Sequence, residues 1–332
     1  MAFGPWITRR ACEPVTGLRL SHVWPWFCLA LGLWLVTGPA QAQTALAQGP
    51  AAPHVGASGL AAANGVTQPS AGLPISPGST PCARPLYLTF DTGHMGVADL
   101  IADVLRRQQV RVTFFAAHEP TQVGDGSLGE HWAPWWRERA AEGHAFASHT
   151  HDHVYWKSDL PGGRFRVRAS AGPDKNKTRD WGADQYCQEI NRARDRLQSI
   201  TGKAPLPLFR APGGKTSLAL LSAARACGFA HVGWAPAGFL GDELSSQTHP
   251  NAQLLQTALA NIRPGDILMA HLGIWSRQDP WAPAVLEPLI VGLKHKGFCF
   301  STLREHPQYA AHVRQTAEGR ASTALARASG VP

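Results

Sequence analysis

Four short segments place ionisable side chains directly after apolar, β-rich runs. They are Thr89-Phe90-Asp91-Thr92-Gly93-His94, Ser148-His149-Thr150-His151-Asp152-His153, Phe209-Arg210-Ala211-Pro212-Gly213-Gly214 and Met269-Ala270-His271-Leu272-Gly273. A carboxylate at the end of an apolar strand is costly to bury unless it is paired or bound to a metal. Asp91 therefore calls for a cation, and Arg210, at a similar place, calls for an anion. His149 and His153 stand four residues apart, a spacing that on one helical turn points both rings the same way. Two imidazoles so arranged suit a single divalent cation. Gly213 and Gly214 let backbone N–H groups approach a ligand closely. Taken singly, each segment has a plainer reading. Asp91 could open a turn, Arg210 could sit exposed in a Pro-Gly turn, and His271 could be a hydrogen-bonded core histidine.

The elements that must position these groups alternate along the chain. Strand-like runs cover 86–91, 111–117, 144–149, 206–211, 231–235, 266–271 and 297–303, and segments with helical spacing cover 97–107, 133–142, 183–200, 216–227, 251–262 and 282–295. This alternation predicts a parallel sheet covered by helices. The strand number and length fit a distorted, closed or nearly closed (β/α) barrel, with an open doubly wound sheet as the competing form. No G-x-G-x-x-G follows the first strand, which argues against a dinucleotide site. In parallel folds chemistry collects at the C-terminal strand ends, where the four segments fall.

The flanks read differently. Arg9 and Arg10 precede an apolar run from Val23 to Val36 and the small residues Gly38-Pro39-Ala40-Gln41-Ala42, so residues 1–42 are expected to be a signal peptide. That run is short for a membrane span, although an uncleaved anchor is the alternative. Residues 43–80 read as a flexible Ala/Gly/Pro-rich linker, 84–308 as the catalytic domain, and 309–332 as an Ala-rich frayed helix or disordered tail. The export reading makes the location periplasmic or extracellular. It also makes disulfides available to Cys82, Cys187, Cys227 and Cys299, with three connectivities open. The net charge is +8. With no nucleic-acid-binding signature, that charge points to an anionic wall or polymer rather than to nucleic acid. Much of it lies in 154–182, where Lys157, Arg164, Arg166, Arg168, Lys175, Lys177 and Arg179 form either a solvated loop or a substrate-facing insert.

The four segments, in this order, resemble the NodB-homology polysaccharide deacetylases of carbohydrate esterase family 4 over roughly 84–305. Thr89 to Gly93 matches T-F-D-D-G, His149 to His153 matches H-S/T-x-x-H, Arg210 to Gly214 matches R-x-P-x-G, and His271 matches a late L-x-H with Met269 in the Leu position. The resemblance implies a distorted barrel, a divalent metal (zinc, with cobalt or nickel as alternatives) and hydrolysis of N-acetyl groups on an extracellular or cell-wall polysaccharide. It implies Asp91 as general base, Arg210 as its partner, His149 and His153 as metal ligands, the Gly213 N–H at the oxyanion and His271 as general acid.

The sequence departs from the pattern at Thr92, where the family has a second, metal-binding Asp. A Thr hydroxyl stays protonated and is a poor ligand, so Asp91, His94 or Thr92 itself remain as further ligands, Asp152 is a fourth donor, and weaker metal binding is expected. The family's later aromatic-and-acid motif is met by Trp234 and Asp242. Trp156, Trp181, Trp234 and Trp275 are candidates for stacking on sugar rings. Two other functions stay open: an O-acetyl polysaccharide esterase, and a catalytically dead sugar-binding protein, for which Thr92 speaks. Oligomeric state is open.

Overall fold

Residues 82–328 are described by a computed structural model, with side chains to residue 319. The expected signal peptide and linker lie outside the described residues. The strands are β1 Pro85–Asp91, β2 Thr113–Ala116, β3 Ala145–Ser148, β4 Val154–Leu160, β5 Arg164–Ala169, β6 Thr178–Trp181, β7 Leu208–Phe209, β8 Ala230–His231, β9 Ile267–His271 and β10 Cys299–Phe300. The helices are α1 Ala98–Arg107, α2 Ala133–Ala141, α3 Ala183–Thr201, α4 Leu218–Ala226, α5 Asn251–Asn261, α6 Leu286–His295 and α7 Pro307–Ala328. Among the described residues no helix is long and apolar enough to cross a membrane.

The architecture is the α/β one the alternation predicts. Seven strands make a parallel sheet ordered β10-β1-β2-β3-β7-β8, with β9 also paired to β1. β1 is buried from Leu86 to Asp91, because a central parallel strand is covered on both faces. Its register with β9 sets Asp91 directly opposite His271. Ser148 stands opposite Phe209 between β3 and β7, and the Arg210 N–H donates to the Ser148 carbonyl at 2.9 Å. His149 and Arg210 thus emerge side by side. The gap between β8 and β9 is spanned by an irregular segment, in which the N–H groups of Ala235 and Leu240 donate to the carbonyls of Ile267 and Met269. The barrel is therefore distorted and nearly closed.

Two regions have open readings in the sequence. The basic segment 154–182 is a folded antiparallel sheet, β4-β5-β6. Along β5 burial alternates strictly, with Phe165, Val167 and Ala169 inward and Arg164, Arg166 and Arg168 outward. The inward residues join Tyr186, Ile190 and Phe209 in a core cluster. Outside, Arg166 pairs with Asp180 at 2.9 Å, while Lys177 and Arg179 both pair with Asp174. The charges are thus largely those of a solvated face, with acids opposite them. The tail, in turn, continues as α7, anchored where Tyr309 and Val313 pack against Tyr87, Leu206 and Val232.

The four cysteines of the domain pair as Cys82–Cys299, joining the start of the domain to β10, and Cys187–Cys227, tying α3 to the end of α4. The packing of the small sheet carries a prediction. Phe165→Ala should lower the unfolding free energy by about 3–5 kcal/mol in urea titrations, as for a buried aromatic. A change below about 0.5 kcal/mol would mean the segment is a loop lying on the surface.

Candidate active site

The site is built outward from a buried ion pair. Arg210 is fully buried and Asp91 3% exposed, and Arg210 Nη1 donates to Asp91 Oδ1 at 2.7 Å. The rest of the guanidinium is also satisfied, by Thr89 Oγ1 at 2.9 Å and the Val232 carbonyl at 3.2 Å, and it lies 4.2 Å over the Phe115 ring. Burial alone would raise the Asp91 carboxyl pKa. Arg210, His149 and His271 outweigh it and hold the group below the usual carboxylate range, so it is ionised at neutral pH.

His149 Nε2 lies 3.6 Å from Asp91 Oδ2, and its Nδ1 meets the Arg210 carbonyl at 2.9 Å. That contact fixes a proton on Nδ1 and leaves the Nε2 lone pair free. Burial lowers the pKa of this ring to about 4, against the pull of Asp91, so it is neutral. His153 stands beside it, with ring centroids 4.8 Å apart, and its Nδ1 meets Ser170 Oγ at 2.5 Å. The pair converges as expected, but for a different reason. The two residues flank a tight connection between β3 and β4, with Thr150 and His153 at positive φ, rather than a helical turn. Thr150 Oγ1 accepts the Val154 N–H and holds that connection together.

On the other wall His271 donates its backbone N–H to Asp242 Oδ2 at 2.6 Å, and its Nδ1 lies 3.2 Å from both Asp242 oxygens. Burial alone would disfavour the imidazolium. Asp242, with help from Asp91 and Glu243, reverses this and raises the pKa to about 9. Asp242 is thus the group that orients and charges His271.

A cavity of about 480 Å³ is lined by Asp91, Glu119, His149, His153, Trp234 and His271, with Gly213 and Trp275 also in its wall. Of the basic residues of the 154–182 segment, Lys175 is the one in this lining. A larger cavity of about 760 Å³, at the seam of β8 and β9, contains none of Asp91, His149, His153 and His271. Trp275 is 67% exposed, free to meet a ligand. Trp156 and Trp181 instead pack against the core under the small sheet.

Three proposed metal donors are placed elsewhere. Thr92 Oγ1 donates to Glu119 Oε2 at 2.6 Å and accepts the Ala117 N–H at 3.1 Å, which commits its proton and one lone pair. His94 lines a neighbouring cavity, with its Nδ1 accepting the Gly96 N–H and its ring against Trp275. Asp152 is held by His151 at 2.7 Å and Arg192 at 3.1 Å. The residue that sequence reasoning missed is Glu119. Its Oε2 also accepts the Gly93 N–H at 2.7 Å, and its Oε1 lies 3.8 Å from His153 Nδ1. The strand-end rule that found Asp91 would have found it too, because it stands three residues beyond β2.

Among the described residues no group of three or more His, Cys, Asp or Glu side chains is placed to hold a metal ion. The donor chemistry nevertheless fits a divalent cation. Both imidazoles spend Nδ1 on outer partners, as metal-binding histidines commonly do, and keep Nε2 available.

Residues 78–232 match the family model described as polysaccharide deacetylase. Over those residues the chain is similar to the polysaccharide deacetylase family. It is 25% identical over 228 residues to a chitooligosaccharide deacetylase of Azorhizobium caulinodans, spanning 66% of this chain and 92% of that one. It is also 25% identical over 222 residues to the peptidoglycan-N-acetylmuramic acid deacetylase PdaA of Bacillus subtilis, spanning 66% and 70% respectively. A family 4 acetyl xylan esterase of Clostridium thermocellum, solved with a cobalt ion, shares the fold at a TM-score of 0.51 and 21% identity, over 67% of this chain and 89% of that one.

The ion pair is directly testable. Arg210→Met leaves a buried carboxylate without its partner and should cost about 3–5 kcal/mol of stability at pH 7. Asp91 has a depressed folded-state pKa, so its contribution is present above the ordinary carboxylate range and lost as pH falls. Denaturant titrations should therefore show the gap between variant and parent narrowing below about pH 4. An equal gap at every pH would contradict an ionised pair.

Proposed function

We propose that this protein is a metal-dependent N-deacetylase of an extracellular or cell-wall polysaccharide. The observation that carries this reading is one cavity holding an ionised, Arg-paired Asp91 and a protonated, Asp-paired His271 on strands in direct register. A base and an acid with pKa values driven apart are what hydrolysis of an unactivated amide requires. Asp91 takes the proton of the attacking water. The His271 imidazolium gives a proton to the departing amine nitrogen, which is a very poor leaving group unless protonated. Gly213, in the cavity wall at φ 68°, offers a backbone N–H to the developing oxyanion.

His149 and His153 would hold the divalent cation, zinc by preference for two imidazoles and an open position, with cobalt and nickel as alternatives. When bound, it supplies a Lewis acid at the acyl oxygen and lowers the pKa of water nearby. Arg210 keeps Asp91 charged and aimed. Trp234 and Trp275 supply flat apolar faces for a sugar ring, and Lys175 offers a cation toward an anionic chain. The names of the two deacetylase relatives support an N-acetylated oligosaccharide or peptidoglycan as substrate. The leader sequence and the two disulfides support action in the periplasm or outside the cell.

Acetate release should be measured side by side on peptidoglycan, poly-N-acetylglucosamine, chitooligosaccharides and acetylated xylan. Release from the N-acetylated polymers, lost on chelation and restored by zinc or cobalt, is the expected outcome. Release from xylan alone would make the protein an O-acetyl esterase. His271→Ala should lower kcat by about 10²- to 10⁴-fold with little change in KM. Near-normal turnover by that variant would remove His271 from the reaction.

A further inference from the structure

We propose that the outer face of the β4-β5-β6 sheet is a docking track for the substrate chain beyond the reacting sugar, and that it selects a glycan whose sugars carry carboxylates. The inference rests on the reading of the substrate as an N-acetylated polysaccharide and deepens it by naming the chemical class.

The sheet carries a surplus of positive charge, because its acids are few and already used. Asp180 pairs with Arg166 at 2.9 Å, Asp174 is taken by Lys177 and Arg179, and Asp159 accepts from Trp156 Nε1 and Ser217 Oγ. Four cations remain. Arg164 donates to the Asp180 backbone carbonyl at 3.0 Å, Arg168 reaches Asn176 Oδ1 at 3.4 Å, Lys157 Nζ lies 5.1 Å from the centre of the Tyr155 ring, and Lys175 lines the catalytic cavity. Among the described residues none of the four forms an ion pair with a carboxylate. The strand register puts them in order. Tyr155 stands opposite Arg168 and Leu160 opposite Arg164, so Tyr155 shares the outer face with the exposed arginines. Arg168, Arg166 and Arg164 follow at every second residue, about 7 Å per step. The row starts at the cavity. Tyr155 is in the cavity wall, and its ring is packed so closely on Gly213 that a Cβ there would lie 2.9 Å from Tyr155 Cε1. A file of exposed cations leading away from the mouth of the catalytic cleft complements charges that repeat along a polymer, not one small anion. Carboxylates on successive sugars would meet Arg168 first and Arg164 last. Such exposed contacts are screened by salt and act on capture and selection more than on tight binding.

The test compares two N-acetylated glycans of equal length: peptidoglycan strands freed of their peptides, whose lactyl groups carry carboxylates, and neutral chitooligosaccharides. Binding is measured by calorimetry at low salt and at about 0.5 M salt, with acetate release followed in parallel. The parent should bind the acidic strands at least about fivefold more tightly at low salt, and the higher salt should remove the preference. Arg164→Gln/Arg168→Gln should remove most of it at low salt as well. Both positions are exposed, and circular dichroism checks that the variant folds. Equal binding of the two glycans by the parent, or a preference that survives in R164Q/R168Q, would overturn the track. An equal loss of both glycans in that variant would mean a structural role for the arginines and would overturn it too. Tighter capture of single-stranded DNA than of the acidic strands would make the face a general polyanion surface and overturn the assignment to a glycan. Calorimetry needs no turnover, so the expected preference without acetate release from either glycan would support the track while contradicting the hydrolase reading.

Discussion

A fully buried arginine facing an almost fully buried aspartate is the constraint around which this molecule is organised. Two charges in an apolar barrel cost several kcal/mol each in lost hydration, and their attraction offsets that cost only with good geometry and every remaining donor satisfied. Arg210 meets the condition through Asp91, Thr89 and the Val232 carbonyl, so the pair bolts the end of β1 to the end of β7 and to the segment after β8. The strand register is thereby functional as well as structural. Slipping β9 by one residue would turn His271 to the opposite face and remove the acid from the base.

The same pair sets the charge pattern of the cavity. With Asp91 ionised, the neighbouring His149 is left neutral by burial and keeps its lone pair, while His271, backed by Asp242, carries a proton. One wall is thus made of electron-pair donors and the other of a proton donor. Glu119 belongs to the first wall, where burial raises its pKa but His153, Thr92 and the other donors around it bring it below the usual range. Each of these groups takes its state from a partner supplied by a different strand end, which is why the parallel barrel suits the chemistry.

Much of this was legible in the sequence. The alternation of strand and helix, and the polar residue closing each of four strands, located Asp91, His149, His153, Arg210 and His271 in the walls of one cavity or immediately behind them. What was hidden follows from physics that acts across the chain. The charge of 154–182 masked the two-residue period of β5, because arginines outward and Phe165 and Val167 inward read first as a basic loop. The histidine spacing suggested a helix, whereas a tight connection with two positive φ angles does the aiming. The task of Asp242 was hidden because the sequence cannot show that its oxygens meet the backbone and ring of His271. His94 looked like a ligand by proximity to Asp91, but the Gly93 turn sends it into the neighbouring cavity. Glu119 was missed because attention fell on segments carrying several polar residues, not on every strand end.

The central claim is that base and acid coexist in opposite charge states at neutral pH, within one cavity. Nitrogen-15 NMR of the histidine side chains tests it most directly. The account predicts that His271 carries protons on both ring nitrogens at pH 7 and titrates near 9, while His149 is neutral at the same pH. A neutral His271 ring at pH 7 would contradict it.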